Sequence, residues 1–186
     1  MKQAILLHGT GGSDRDYFWF GDTKKYFEEH GFQVWWPLLP NTDKPKIQET
    51  LKFVQENAPK IDESTIVIGH SSAAPLILSF LQRINVRIKQ AILVAGFYVK
   101  ISEDANLMLE DNYDWNKIKS NTAEIILINS DNDPWGCNDK QARPIAEKLG
   151  AKFILAKGEG HMGSGVFNQP YKEHKLLKSL LFSSSG

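Results

Sequence analysis

Short apolar runs alternate along this chain with longer segments in which apolar residues recur at helical spacing. The short runs predict six strands, at 3–8, 32–36, 65–69, 90–95, 124–129 and 152–156. The longer segments predict five helices, at 18–30, 46–57, 72–84, 139–149 and 171–182. Most of the strand runs are apolar throughout, which is typical of a parallel sheet covered on both faces.

Regular alternation of strands and helices predicts an α/β fold. We expect a single domain built on a doubly wound, six-stranded parallel sheet with helices on both faces. A chain of 186 residues suits one such domain, which we place at 1–183, with 184–186 as a frayed tail. Segment 97–121 is too long for a simple crossover helix, so it forms either a small cap or an irregular crossover.

The net charge limits the classes of partner that we expect, and the cysteine content indicates the cellular compartment. Lysine plus arginine equals aspartate plus glutamate at 22 each, so no net field favours nucleic acid or an anionic membrane. A small neutral molecule is the most compatible partner, and a protein partner stays open. No secretory signal or membrane-spanning run is visible, and the single cysteine, Cys137, cannot form an internal disulfide. We therefore expect a cytoplasmic protein.

A candidate nucleophile follows the third predicted strand. Gly69-His70-Ser71-Ser72-Ala73 lies between a β-branched run and an apolar helical segment, where a nucleophile elbow places its serine. The pattern departs from G-x-S-x-G at Ala73, which replaces a glycine with another small residue. Ser71 is therefore the candidate nucleophile.

The partners that a serine nucleophile needs follow two later strands. Asp133 comes directly after the fifth predicted strand, and His161 comes just past the sixth. Parallel strands bring both to the same sheet edge as Ser71. The order serine, acid, histidine is that of the α/β-hydrolases, which predicts a Ser71–His161–Asp133 triad.

Other residues compete for these roles. Asp131 is the rival acid, although an aspartate in a turn often caps its own backbone, and Glu159 is more typical of a solvated loop carboxylate. Cys137 has no evident histidine partner in the sequence. Structural roles are the simpler interpretation of the remaining histidines, with His8 bracing a loop, His70 packing away from the serine, His30 at a solvated helix end and His174 within the last helix.

The loop after the first strand is a candidate oxyanion hole. Backbone N–H groups can stabilise a tetrahedral oxyanion, and we assign them to Ser72 and Thr10, with Gly11 as the alternative to Thr10. The glycines of this loop match neither a dinucleotide-binding fingerprint nor a P-loop, and no metal-binding spacing occurs. We expect no cofactor and no metal. Trp135 and Phe97 are the aromatic residues that we place beside the substrate pocket.

Taken together, these motifs resemble the small serine hydrolases typified by retinoblastoma-binding protein 9 and their bacterial relatives of the YdeN type. The resemblance covers nearly the whole chain, from His8-Gly9 and Gly69-His70-Ser71-Ser72 through 113–118 to Ser130-x-x-Asp133-Pro134 and Gly160-His161. It implies a compact α/β-hydrolase with the triad Ser71, Asp133 and His161. The chain departs from the family pattern at Ala73 and at Gly136-Cys137.

We therefore expect a serine hydrolase that cleaves a small ester or amide through an acyl-serine. The resemblance leaves esterase-like and aminopeptidase-like activities open. The alternative is a protein-interaction module that kept the hydrolase scaffold with little or no turnover.

Overall fold

The predicted strands form one six-stranded sheet in the computed structural model, which describes residues 2–14 and 17–182. The strands are β1 (Gln3–Leu7), β2 (Gln33–Trp35), β3 (Ile66–His70), β4 (Ile88–Val94), β5 (Thr122–Asn129) and β6 (Lys152–Leu155). All pairings are parallel, in the order β2-β1-β3-β4-β5-β6. The doubly wound α/β class is confirmed, and most strand ends differ from the prediction by one or two residues.

Helices cover both faces of this sheet. They are α1 (Phe20–Glu29), α2 (Ile47–Asn57), α3 (Ala73–Leu81), α4 (Glu103–Asn106), α5 (Trp115–Ser120), α6 (Asp139–Leu149) and α7 (Lys175–Leu180). Buried side chains of α1 and α7 share one cluster with alternate strand residues, and those of α2, α3, α5 and α6 share a second cluster with the intervening ones. Both faces of the central strands are thus largely buried, which explains why most of the strand runs are apolar.

Segment 97–121 packs against both layers through a few side chains. Met108 joins the cluster of α2 and α3, while Phe97 joins the cluster on the opposite face. The carbonyl of Leu107 accepts a hydrogen bond of 2.9 Å from the N–H of Ile47. The short helices α4 and α5 interrupt the segment, and neither was predicted.

The carboxyl ends of the parallel strands lie at one edge of the sheet, where open α/β folds place their ligands. The loops that follow β1, β3, β5 and β6 all leave at this edge, so the registers of the strands bring the predicted site together. The predicted frayed tail at 184–186 lies outside the described residues. Within the described part of the chain, no helix has the length and apolar character needed to cross a bilayer.

His174 ties α7 to the domain from a buried position. It precedes the helix rather than lying within it, and its Nδ1 accepts the N–H of Leu177 at 3.3 Å as an N-cap. The side chain is fully buried, with its ring 5.4 Å from that of Trp19. Burial disfavours the charged form and lowers the pKa of His174 to about 4.

His174→Asn is expected to reduce the loss of stability in mild acid. The unfolded chain binds a proton at this position below about pH 6.5, whereas the folded chain does so only near pH 4. Acidification therefore favours unfolding, by about 2 kcal/mol from this group at about pH 5. Asparagine preserves a capping oxygen but does not titrate. Urea unfolding at about pH 7.5 and about pH 5 measures the difference for each protein.

The exposed His30 supplies the control, because His30→Asn is expected to keep the full acid loss of the parent protein. An acid loss for His174→Asn equal to that of the parent would contradict the assignment of this titration to His174.

Candidate active site

Ser71 lies on a sharp turn between β3 and α3. Its φ of +56° is in the left-handed region, which a non-glycine residue seldom adopts. A Cβ added to Gly69 would lie 3.0 Å from Ala73 Cβ and 2.6 Å from Ile77 Cδ1. The glycine at 69 is therefore what lets α3 start close to the strand. Ala73 fits as the first helical residue, so the departure from the usual motif leaves the turn intact.

The loop after β1 lies directly against this turn. A Cβ at Gly9 would approach Ser71 Cβ to 2.9 Å, and Thr10 Oγ1 donates a hydrogen bond of 3.0 Å to Ser72 Oγ. The N–H of Gly11 donates to the carbonyl of Thr42 at 2.7 Å, which removes Gly11 as an oxyanion donor. Among the described residues, no acceptor is found for the amides of Thr10 and Ser72.

A buried hydrogen bond joins Asp133 to His161. Asp133 Oδ2 lies 2.7 Å from His161 Nδ1, and Asp133 Oδ1 accepts the N–H of Trp135 at 2.8 Å. The side chain of Asp133 is fully buried and that of His161 is 6% exposed. Both carboxylate oxygens are thus occupied, which fixes the carboxyl group. The bond assigns the proton of the imidazole to Nδ1 and leaves the Nε2 lone pair free.

Asp131 takes a different position from Asp133. Its Oδ1 accepts the N–H of Gly158 at 2.8 Å, and the neighbouring Asn132 Oδ1 accepts the N–H of Gly160 at the same distance. These bonds hold the loop that carries His161, but they contact its backbone only. The rival acid is therefore placed to support the loop, while Asp133 contacts the imidazole.

His70 holds the backbone of His161 in place through a hydrogen bond. Its Nε2 donates to the carbonyl of His161 at 2.8 Å, and its Nδ1 faces Tyr17 Oη at 3.3 Å. Trp19 Nε1 donates to the next carbonyl, that of Met162, at 2.9 Å. Burial, followed by the proximity of His161, lowers the pKa of His70, so the ring stays neutral and needs both a donor and an acceptor partner. His70 was predicted to pack away from the serine, but the pattern did not reveal this hydrogen bonding.

The other two histidines have structural contacts. His8 Nδ1 donates to the carbonyl of Gly9 at 2.9 Å, and its Nε2 accepts the N–H of Leu39 at 3.0 Å. His8 thus braces the glycine loop, as we expected from its position. His30 is exposed and bonds the carbonyl of Tyr26 within α1.

Cys137 lies inside the candidate site, which the sequence did not reveal. Its sulfur lies within 4.8 Å of donor atoms of Asp133 and His161, and its thiol is near enough to the Ser71 hydroxyl to interact with it electrostatically. The sequence showed no evident histidine partner for Cys137, whereas the turn after β5 brings its sulfur near His161, whose Nδ1 is bonded to Asp133. Burial, then the Asp133 charge, raises the pKa of the Cys137 thiol well above its usual range. A protonated thiol is a weak nucleophile.

The donor atoms of Asp133, Cys137 and His161 are the group that could hold a metal ion within the described residues. Carboxylate, thiolate and imidazole are all zinc ligands. The hydrogen bond between His161 and Asp133, however, already occupies one ring nitrogen and one carboxylate oxygen. These contacts orient the imidazole of His161 through the carboxylate of Asp133.

The two predicted pocket aromatics differ in exposure. Phe97 is 1% exposed and packs in the core cluster that contains Cys137 and Met162, so it presents no surface to a ligand. Trp135 is 45% exposed, and its ring centre lies 6.5 Å from that of His161. Phe167, which sequence reasoning missed, lies 5.1 Å from Trp135 and is 44% exposed.

This fold and the cluster around Ser71 agree with the comparisons to known proteins. The profile of the family described as serine hydrolase matches residues 4–178. The chain belongs to the serine hydrolase family.

Two relatives of this hydrolase match over most of their lengths. The chain is 28% identical over 187 residues to the serine hydrolase RBBP9 of Rattus norvegicus, covering 96% of this chain and 95% of the relative. It is 27% identical over 168 residues to the hydrolase YdeN of Bacillus subtilis (strain 168), covering 86% and 85%.

Solved structures agree on the fold. The crystal structure of the Bacillus subtilis ydeN gene product superposes with a TM-score of 0.88 at 22% identity, covering 97% of each chain. A YdeN-like hydrolase from Pectobacterium atrosepticum superposes with a TM-score of 0.70 at 15% identity, covering 96% of this chain and 88% of the other.

Asp133→Asn is expected to lower kcat of this serine hydrolase on an activated aryl ester by about 10⁴-fold, because an amide next to His161 favours the wrong tautomer. Asp131→Asn is the matched control, since its side-chain oxygen can still accept the N–H of Gly158. Steady-state kinetics on both variants test the assignment. Retained turnover in Asp133→Asn together with lost turnover in Asp131→Asn would show that the acid is Asp131.

Thr10→Val is expected to lower kcat by about 10- to 100-fold with little change in KM. The substitution removes the hydroxyl that holds the Thr10 amide against Ser72, and outright loss of an oxyanion donor costs about 10²- to 10³-fold. Thr10→Ser keeps the hydroxyl and should recover most of the rate. Equal rates for Thr10→Val and the parent enzyme would contradict a positioning role for this contact.

Proposed function

We propose that this serine hydrolase cleaves a small ester or amide through an acyl-enzyme formed on Ser71. The observation that carries the proposal is the buried His161–Asp133 hydrogen bond beside a serine on a left-handed turn. The turn that carries Ser71 contacts His161, because His70, the residue before the serine, donates to the carbonyl of His161 and the two rings are 4.7 Å apart. We assign the roles of nucleophile, base and orienting acid to Ser71, His161 and Asp133.

The chemistry follows from these positions. His161 Nε2 takes the hydroxyl proton as Ser71 Oγ attacks the carbonyl carbon, and Asp133 stabilises the imidazolium that forms. The imidazolium then gives this proton to the leaving alcohol or amine. Water, activated in turn by His161, hydrolyses the acyl-serine and restores the enzyme.

Two amides of this chain would stabilise the tetrahedral oxyanion. The N–H of Ser72 lies at the start of α3, where the helix dipole favours negative charge. The hydrogen bond between the Thr10 and Ser72 hydroxyls supports the assignment of the Thr10 N–H as the second donor. Preorganised donors of this kind need no rearrangement during the reaction.

The family supports hydrolysis, and it does not favour the alternative of an interaction module without turnover. Within hydrolysis, we propose a carboxylesterase-like or aminopeptidase-like activity on a small, uncharged molecule, because the chain carries no net charge to attract an ionic substrate. We also expect it to act in the cytoplasm, since its one cysteine can form no internal disulfide.

A fluorophosphonate probe tests the nucleophile directly, because it phosphonylates an activated serine. The parent enzyme is expected to be labelled and Ser71→Ala to remain unlabelled. Cys137→Ala is the matched control for the other nucleophile beside the site, and it should still be labelled. Intact-mass spectrometry measures each adduct. Equal labelling of the parent and Ser71→Ala, or labelling of neither, would reject the proposal.

A further inference from the structure

Three exposed apolar side chains lie on the turn after Asp133 and on the loop after His161. Trp135, Val166 and Phe167 are 45%, 76% and 44% exposed, respectively, and we call them the apolar shelf. Trp135 follows the turn that carries Asp133, and the other two lie on the loop after His161. Two large aromatic side chains this open to solvent and in mutual contact are unusual for a surface that binds nothing.

The shelf is held rigidly to the histidine loop. Ser164 and Gln169 form an antiparallel bridge with backbone hydrogen bonds of 3.0 and 2.8 Å, and this bridge closes the turn that presents Val166 and Phe167. Gln169 Oε1 accepts the N–H of His161 at 2.9 Å, and Trp135 Nε1 donates to Ser164 Oγ at 3.3 Å. The shelf and the imidazole are therefore positioned by the same contacts.

The proton transfer by His161 indicates which part of a substrate the apolar shelf contacts. His161 must deliver a proton to the departing oxygen or nitrogen, so the leaving group has to lie next to the imidazole. The indole of Trp135 is 6.5 Å from that ring, and Phe167 meets the indole edge-to-face at 5.1 Å. The part of a substrate that extends over the shelf is thus its alcohol or amine portion, while the acyl carbonyl faces the oxyanion donors.

The chemistry of the shelf favours an uncharged group. Lysine, arginine, aspartate and glutamate are absent from 134–138 and from 160–171, so these two segments offer no ion pair to a charged leaving group. Aromatic faces and a branched aliphatic side chain contact apolar groups through buried area and ring stacking.

We propose that the apolar shelf is a leaving-group subsite that selects esters and amides whose alcohol or amine portion is aromatic. This inference rests on the proposed acyl-enzyme mechanism and adds the class of leaving group to it. Phe167 and Trp135 are the specificity-determining residues.

The test compares ethyl acetate with 2-phenylethyl acetate, which share an acyl group and differ by a phenyl ring on the alcohol. For the parent enzyme we expect kcat/KM to be about 10- to 100-fold higher for the phenylethyl ester, as contact with one apolar group typically gives. Phe167→Ser should lower the ratio by about 3- to 10-fold, since Trp135 remains, and Phe167→Leu should lower it less.

Two controls make the result specific to the leaving group. The ratio of ethyl butanoate to ethyl acetate varies only the acyl part, and Phe167→Ser should leave it unchanged. Val99→Ser removes a comparably exposed apolar side chain, 46% exposed, from another segment, and it should preserve the phenylethyl preference.

Each outcome decides between the two proposals. Turnover that depends on Ser71, with a phenylethyl ratio near one in the parent or unchanged in Phe167→Ser, overturns the subsite and leaves the proposed function standing. Absence of Ser71-dependent turnover of every ester, together with absence of fluorophosphonate labelling, overturns both.

Discussion

The close approach of two backbone segments at the end of β3 is the constraint on which the site depends. Ser71 adopts a left-handed conformation there, and the loop after β1 comes so near that a side chain at Gly9 would lie 2.9 Å from Ser71 Cβ. This proximity lets the Thr10 hydroxyl donate a hydrogen bond to the hydroxyl of Ser72. A strained residue of this kind persists only where its surroundings determine it fully, and the buried strand and the wholly buried helix α3 supply those surroundings.

A second set of contacts brings the histidine loop to this turn. Neutral, buried His70 connects the residue before Ser71 to the carbonyl of His161, while Trp19 holds the carbonyl of Met162. On the opposite side, Asp131 and Asn132 hold the backbone of Gly158 and Gly160. Two kinds of contact therefore orient the imidazole of His161. Its ring is hydrogen-bonded to Asp133, and the backbone before and after it is held by hydrogen bonds from other loops. Support of this kind is what keeps a catalytic group within a fraction of an ångström of its working position.

Much of the fold could be predicted from periodicity, because strands buried on both faces and amphipathic helices have distinct patterns. Each of the six predicted strands and five predicted helices overlaps a strand or helix of the structure, and α6 has the predicted bounds, 139–149. The helices α3 and α7 are shorter than the predicted segments. Apolar residues continue beyond the last hydrogen-bonded turn of each helix, with Ile84 after α3 and Leu181 after α7. Segment 97–121 was not resolved into α4 and α5, because α4 buries none of its residues and α5 buries only Ile118, so neither has an apolar face that a sequence pattern could show.

The features of the candidate site also differ in how far the sequence predicted them. The order of strands along the chain predicted Ser71 as the nucleophile, His161 as the base and Asp133 as the favoured acid, because residues that follow parallel strands lie at one edge of the sheet. The folded chain was needed to show which aspartate contacts His161, that Cys137 lies among these groups, that Phe97 is buried, and that Phe167 lies beside Trp135. The physical reason is that a strand pattern specifies the edge at which a loop emerges, whereas the direction of each side chain depends on turns whose hydrogen bonds join residues far apart in sequence.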